Sequence, residues 1–452
     1  LTGENHLTVV AHEEDLADYF HQFAKSPQNM RVGLEAEFFG VSRSTGKALP
    51  YSGEEGIEAV LGALASLFDY QPLTEDGHII GLSKRDIRIS LEPGGQIELS
   101  APPVRNIFQI EEQIKVFIAQ LREVRPRFKN VAFLAVGIQP FSSLDEIPWV
   151  PKKRYGIMSE YFEGRGKLSH WMMKQTATNQ INLDYASEEH AMQALRTALG
   201  ISSIVSALFA NSSFSEGGPN GFLSKRLQIW NNTDPSRTGL LTAFTRPDCT
   251  FRNYLDYILD MPMIFLIRNG EWIPAHHLTF RHFIRYGYQG MTATLGDFEL
   301  HLSTAFPEAR FKQYLELRGV DCQSPDLIPA VAAFWKGILY DDEALRRAWD
   351  LVDGVSESDR LALHHDVPRK GLHAELGGRP ILPIARQLME IACAGLGRQA
   401  CGSGSGDECL FLKRIAAKII FPEKSPAETL LEMWRSSLGK NPQRLIEYLQ
   451  IG

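Results

Sequence analysis

The segment from Ile87 to Ser100, reading IRISLEPGGQIELS, limits the fold of this chain more than any other stretch. Ile87, Ile89 and Leu91 precede a Pro93-Gly94-Gly95 break, and Ile97 and Leu99 follow it, so each arm alternates with the period of two that marks a half-buried strand. The two arms predict a hairpin, with Gly94 and Gly95 free to take the positive φ that tight turns need. Arg88, Ser90 and Glu92 on one arm and Gln96, Glu98 and Ser100 on the other then share the opposite, polar face.

The pattern recurs. In GLEAEF, Glu35 and Glu37 leave one face of a strand while Leu34, Ala36 and Phe38 fill the other; QINLDY sets Gln180, Asn182 and Asp184 opposite three apolar residues; YLELR puts Glu316 beside Arg318. Together these segments predict an α+β fold: one antiparallel sheet with a packed core on one face and an active-site face on the other. The competing reading is a set of separate surface strands whose polar faces meet only water.

Length alone, 452 residues, suggests two or three domains. The polar-faced segments run from Glu35 to Arg318, however, which favours one sheet domain with flanking helices over residues 1–340 and a helical region over 341–452 packed on the same domain. A net charge of −7 carries no basic field, which argues against nucleic acid and anionic membranes as partners. No apolar run reaches the ~18 residues of a membrane span; the richest, Ile201 to Ala210, predicts a buried helix. No secretory signal is visible, and the five cysteines contain no C-x-x-C pair, which argues against a disulfide framework and a zinc site and favours a reducing cytoplasm.

Helical spacing predicts helices before Arg31, over 53–68, over 110–124 and over 188–209, and Phe133 to Ile138 predicts a short strand. Lys152 to Tyr155 reads as a basic loop beside an acidic sheet, which invites an anionic substrate, and Asn211 to Arg226 as a loop long enough to be functional. Ser425-Pro426-Ala427-Glu428 is a capping box opening a last helix, and Gly402 to Gly406 lacks the Gly-Lys-Ser/Thr of a phosphate loop and predicts a flexible linker.

Glu35, Glu37, Glu92, Glu98 and Glu316 cannot all stay ionised near one another without cations. Oxygen ligands without cysteine, with Gln180 and Asn182 nearby, suit Mg²⁺ or Mn²⁺, and Mg²⁺ held by a few carboxylates usually serves nucleotide phosphates, with arginine neutralising the group in transfer.

The blocks at Gly33 to Gly40, Leu91 to Ser100, Pro151 to Met158, Gln180 to Asp184, Asn211 to Trp230, Leu278 to Arg281, His301 to Gly319 and Phe334 to Asp342 resemble the plant and proteobacterial type of glutamate–cysteine ligase, in order along the chain. The resemblance implies a glutamine-synthetase-like fold, a curved antiparallel β-sheet funnel with surrounding helices. It implies ATP-dependent joining of L-glutamate, through a γ-glutamyl phosphate, to L-cysteine, the first step of glutathione synthesis. On the family pattern Glu35, Glu37, Glu92, Glu98 and Glu316 are the Mg²⁺ ligands, and Gln180, Asn182 and Arg310 lie beside metal or nucleotide. Arg318 meets the γ-phosphate, Arg154 and Arg226 hold substrate carboxylate or the phosphoryl group, and Trp335 and Ile264 line the amino-acid pocket. Ile264 stands where plant sequences carry an aromatic, and His276 and His277 stand where a regulatory cysteine is expected. Rival readings are a γ-glutamyl ligase for another amine and a non-catalytic sensor; as an assembly, a monomer or homodimer is expected.

Overall fold

A computed structural model describes residues 7–403 and 406–451. The alternating segments form a ten-stranded sheet with every pair antiparallel. In chain order its strands are β1 (Val32–Ser42), β2 (Gln71–Glu75), β3 (His78–Lys84), β4 (Ile87–Leu91), β5 (Ile97–Val104), β6 (Val131–Leu134), β7 (Asn179–Leu183), β8 (Ala309–Phe311), β9 (Leu315–Leu317) and β10 (Gln450–Ile451). Across the sheet they run β8-β9-β7-β1-β5-β4-β3-β2; β6 pairs with β1, and β10 with β6. The path keeps two free ends, so the sheet does not close into a barrel.

β1 is the centre of this arrangement. Its first half lies between β5 and β7, and from Phe39 onward β6 takes over from β7. Val32, Leu34, Ala36 and Phe38 point into the core. The helices Ile57–Phe68 and Ile107–Val124 lay their apolar stripes on the core side of the sheet, with the Phe38 and Phe117 rings 6.1 Å apart, and Ile328–Leu339 covers β7 and β1. Each large apolar side chain buried here contributes about 1.5–3 kcal/mol, and a one-residue slip would bury the glutamates and expose those side chains, so the register is fixed by burial.

The hairpin from Ile87 to Ser100 forms, but its glycines divide their work differently from expectation. Only Gly95 has a positive φ, 81°. Gly94 is required by a close approach, because a Cβ there would lie 2.2 Å from the carbonyl oxygen of Lys174. The tip is plugged in by Gln96, whose Nε2 donates to Thr176 O at 2.8 Å while its Oε1 accepts from Gly94 N at 2.9 Å.

Other expectations need correction. Before Arg31 the described residues form only 3-10 turns, Glu13–Leu16, His21–Phe23 and Pro27–Asn29, because Ser26-Pro27 and short polar runs stop each turn from propagating. The basic loop is the start of a helix, Lys153–Phe162. The stretch from Asn211 to Arg226 folds into a small hairpin and a helix N-cap at Ser224. The helix Ile381–Ser403 runs into the glycine-serine stretch, of which residues 404 and 405 lie outside the described residues. The capping box at Ser425 is present, yet a further helix, Pro442–Leu449, follows it. Cys393 and Cys409 form a disulfide although no short spacing announced it: they come from two helices packed side by side, with Cα atoms 5.1 Å apart. Cysteine usage therefore no longer argues for a reducing compartment. The helix Glu188–Leu208 is long and apolar enough to cross a membrane, but 89% of that window is buried inside the protein, as in a core helix.

Candidate active site

The register places the polar side chains in rows. Gln180, Glu35, Ser100 and Arg88 are successive partners across β7, β1, β5 and β4, and Glu37, Glu98 and Ser90 form the next row. Arg310, Glu316 and Asn182 form a row across β8, β9 and β7. Glu37 thus stands directly opposite Glu98, a pairing of like charges that destabilises a sheet unless a cation joins it.

These rows wall a cavity of about 250 Å³. Of the residues expected at the site, Glu35, Glu37, Glu92, Glu98, Arg154, Gln180, Arg226, Arg310 and Arg318 line it together. Asn182 stands behind Glu35, donating to its Oε1 at 3.1 Å, and its own Oδ1 is buried without a partner. Glu316 is fully buried beneath the cavity wall.

Electrostatics divide the carboxylates into two groups. Burial, followed by the charges of Glu92 and Glu98, pushes Glu37 well above the usual carboxylate range; burial and Glu92 raise Glu98. Burial likewise pushes Glu35 up to about 7, with Lys312 opposing and Glu316 and Glu98 adding to the rise. Burial alone would raise Glu316 as well, but Arg310, Lys312 and Arg318 override it and hold Glu316 well below the ordinary range. Its Oε2 accepts from Arg310 Nε and from Arg318 Nη1 (2.8 Å), and Lys312 Nζ lies 2.9 Å from Oε1.

The arginines are held from behind. Arg318 Nη1 also donates to Gln180 Oε1, and the guanidinium lies 5.6 Å from the Phe306 ring centre and 5.8 Å from that of Trp230. Arg226 Nη2 donates to Arg318 O at 2.9 Å, its backbone N to Ser212 Oγ at 3.1 Å, and its Nε is buried without a partner. Arg154 stacks over Tyr155 at 4.9 Å and donates to its hydroxyl at 3.1 Å. Lys152 turns away into the fold, donating to Leu91 O at 2.6 Å, and Lys153 reaches Asp76 and Glu271 on the surface.

Two expected pocket residues are elsewhere. Trp335 is buried in the helix Ile328–Leu339, edge-on to Phe334, because that helix is covered on every side and its aromatics fill the core. Ile264 is buried one residue short of the cavity; its neighbour Phe265, at the start of a strand, faces in. The aromatic character expected at 264 is thus supplied next door.

Several site residues escaped the sequence reading. Thr178 donates its backbone N to Glu37 Oε2 at 3.0 Å, and Met158, Met172, Met173 and Trp230 form the apolar wall. Lys312 could have been found by extending the alternation onward from Arg310, two residues away on the same strand face. Asp321 gave no signal. Its carboxylate accepts from Asn211 N (2.7 Å), Ser212 Oγ (2.7 Å) and Ser224 Oγ (2.9 Å), and so shapes the loop that carries Arg226.

Residues 31–443 match the model of glutamate–cysteine ligase family 2. The chain is 36% identical to glutamate–cysteine ligase B, chloroplastic, of Oryza sativa subsp. japonica over 446 residues, 98% of this chain and 88% of that one. It is also 36% identical to the chloroplastic glutamate–cysteine ligase of Arabidopsis thaliana over 439 residues, 96% and 82% of the two chains. Among solved structures, glutamate–cysteine ligase from Francisella tularensis in complex with AMP superposes with a TM-score of 0.56 at 12% identity, covering 94% of this chain and 90% of that one. A bifunctional glutathione synthetase from Pasteurella multocida gives 0.51 at 14% identity over 97% of this chain and 53% of that one. At such identities the structural likeness speaks for the fold alone.

Proposed function

The chain belongs to glutamate–cysteine ligase family 2, and from this we infer that it uses ATP to join the γ-carboxylate of L-glutamate to the amine of L-cysteine, giving γ-glutamylcysteine for glutathione synthesis. One observation carries the assignment of the site: the like-charged pair Glu37 and Glu98, with Glu35 and Glu92, walls a cavity that Arg154, Arg226 and Arg318 also line. Carboxylates with raised proton affinity want a cation, and guanidinium edges facing a cavity want an anion. ATP with Mg²⁺ supplies both.

The donor set fits the metal. The carboxylates that line the cavity are hard oxygen ligands, and no thiol or imidazole faces it among the described residues. As they stand, no three His, Cys, Asp or Glu side chains among the described residues converge tightly enough to enclose an ion, as expected of like charges without one. Glu35, Glu37, Glu92 and Glu98 would hold Mg²⁺, which, when bound, spreads the charge of the transferring phosphoryl group; Glu316, the fifth ligand expected, is instead paired with Arg310, Lys312 and Arg318 outside the cavity lining.

The protein's own contribution is placement and exclusion. Arg318, fixed by Gln180 and Glu316, meets charge developing on the γ-phosphoryl, and Arg226 and Arg154 orient glutamate's carboxylates. Phe306, Trp230, Phe265 and the methionines keep water from the acyl phosphate until the amine arrives.

Two results test this reading. ADP release in Mg²⁺ should require glutamate, and cysteine should accelerate it more than other amines; release without glutamate, or faster with another amine, would overturn the substrate assignment. The second test is pH. Glu35, Glu37 and Glu98 bind protons more tightly folded than unfolded, so they favour the fold fully below about pH 4.5, and this contribution is lost as pH rises through the folded value, about 7 for Glu35. The Tm of metal-free protein should climb as pH drops from about 8 to about 5.5, and the gain produced by Mg²⁺ should shrink over the same interval, since protons and metal compete. A Mg²⁺ gain equal at both pH values would remove the carboxylates from metal binding.

A further inference from the structure

We propose that Lys312 is a built-in counterion of the acidic wall: held beside Glu316 in the metal-free protein, its ammonium offsets the carboxylates that line the cavity, yields when a divalent cation enters, and then binds the phosphates of ATP. The proposal rests on the metal reading above and gives a role to a residue outside the expected ligand and nucleotide set.

The strand register puts Lys312 there. Arg310 pairs with Glu316 across β8 and β9, and Lys312, two residues on, keeps the same face just before the turn into β9. Its backbone is pinned, with N donating to Tyr314 O at 2.9 Å, so only the side chain can move. Glu316, buried and singly charged, is surrounded by three cations, Arg310, Lys312 and Arg318. Arg310 and Arg318 alone exceed the charge of Glu316, so the Lys312 ammonium is available to the carboxylates that line the cavity with it and to a phosphate chain.

Of the three, Lys312 is the one free to relocate. Arg310 is committed to Glu316 through Nε and to the carbonyls of Ser303 (2.8 Å) and Ala305 through Nη1, and Arg318 to Gln180 and Glu316. Lys312 makes one ion pair, so at most one of its three ammonium donors is occupied there, and a compact charge on a four-carbon stem swings easily. Its side chain is 25% exposed, against 5% for Arg310 and 10% for Arg318. Lys312 and Glu35 line the same cavity, and the partner of Lys312, Glu316, pairs across the sheet with Asn182, which donates to Glu35, so the ammonium stands on the side from which a metal would reach that carboxylate. Two cations cannot share that place at low cost.

The experiment follows Tm against Mg²⁺ concentration, without nucleotide, in wild type, Lys312→Met and Lys312→Arg, and separately the KM for ATP. In Lys312→Met, removal of the competing charge should lower the Mg²⁺ midpoint by about threefold or more, while the lost charge-assisted contact should raise the KM for ATP by about tenfold. Lys312→Arg should keep a midpoint near that of wild type and lose less ATP affinity, which also covers the case in which the methionine variant fails to fold. A midpoint in Lys312→Met equal to or above wild type, or an unchanged KM for ATP, would overturn the counterion role while leaving the metal site intact. A wild-type Tm indifferent to Mg²⁺ would overturn the metal site and this role together.

Discussion

Replacing Glu98 by glutamine is expected to lower kcat by about a hundredfold or more and, in the same protein without metal, to raise Tm. The two effects have one origin. Glu98 faces Glu37 directly across β1 and β5, and both carboxylates bind protons more tightly than usual because they are buried together. A neutral amide of the same shape removes the repulsion and keeps the hydrogen bonds that Ser90 (3.1 Å) and Ser100 (2.9 Å) donate to Oε1. Every tenfold rise in a carboxylate's proton affinity on folding reflects about 1.4 kcal/mol of penalty on its charged form, so the relief should be visible by calorimetry. Turnover falls because an amide is a weaker ligand for a hard cation and leaves the phosphates misplaced. Activity within about twofold of wild type would show that the pair does not hold a metal, and a lowered Tm with normal secondary structure that the two carboxylates do not strain the metal-free sheet. This is the exchange of stability for activity seen wherever like charges are kept together for function.

The second large effect is expected at Arg318. Arg318→Lys keeps a positive charge but loses the planar guanidinium, whose Nη1 donates to both Gln180 and Glu316 and which lies against Phe306 and Trp230. A group that meets charge only as it develops should cost kcat, by about 10²–10³ as for the loss of a preorganised donor, with little change in the KM for ATP. The measurement is steady-state kinetics with ATP varied at saturating glutamate and cysteine. Intact kcat with a raised KM would reassign Arg318 to ground-state binding of the nucleotide.

What can be read from the sequence is what a period of two encodes. Strand faces are local, so alternation alone puts Glu35, Glu37, Glu92, Glu98 and Gln180 on polar strand faces, and they line one cavity. Which strands become neighbours is not local, and the opposition of Glu37 to Glu98 is visible only with the register of β1 and β5. Family likeness names Trp335 and Ile264, but a pattern match carries no direction for a side chain: Trp335 belongs to a helix buried all round, and at 264 the strand phase hands the pocket to Phe265. Gly94 shows the same limit, since its need comes from Lys174, far along the chain. Asp321 and the disulfide between Cys393 and Cys409 depend on how separate elements pack, for which spacing leaves no mark.

The order of the strands along the chain bears on how the protein is made. Glu35, Glu37, Glu92 and Glu98 all leave the ribosome before any of Arg226, Arg310, Lys312 or Arg318 has been translated. Should β1 pair with β5 before those residues emerge, Glu37 and Glu98 meet without most of the cations that face them in the finished protein. Bound protons, or ions from the surrounding solution, would then stand in for the missing side chains.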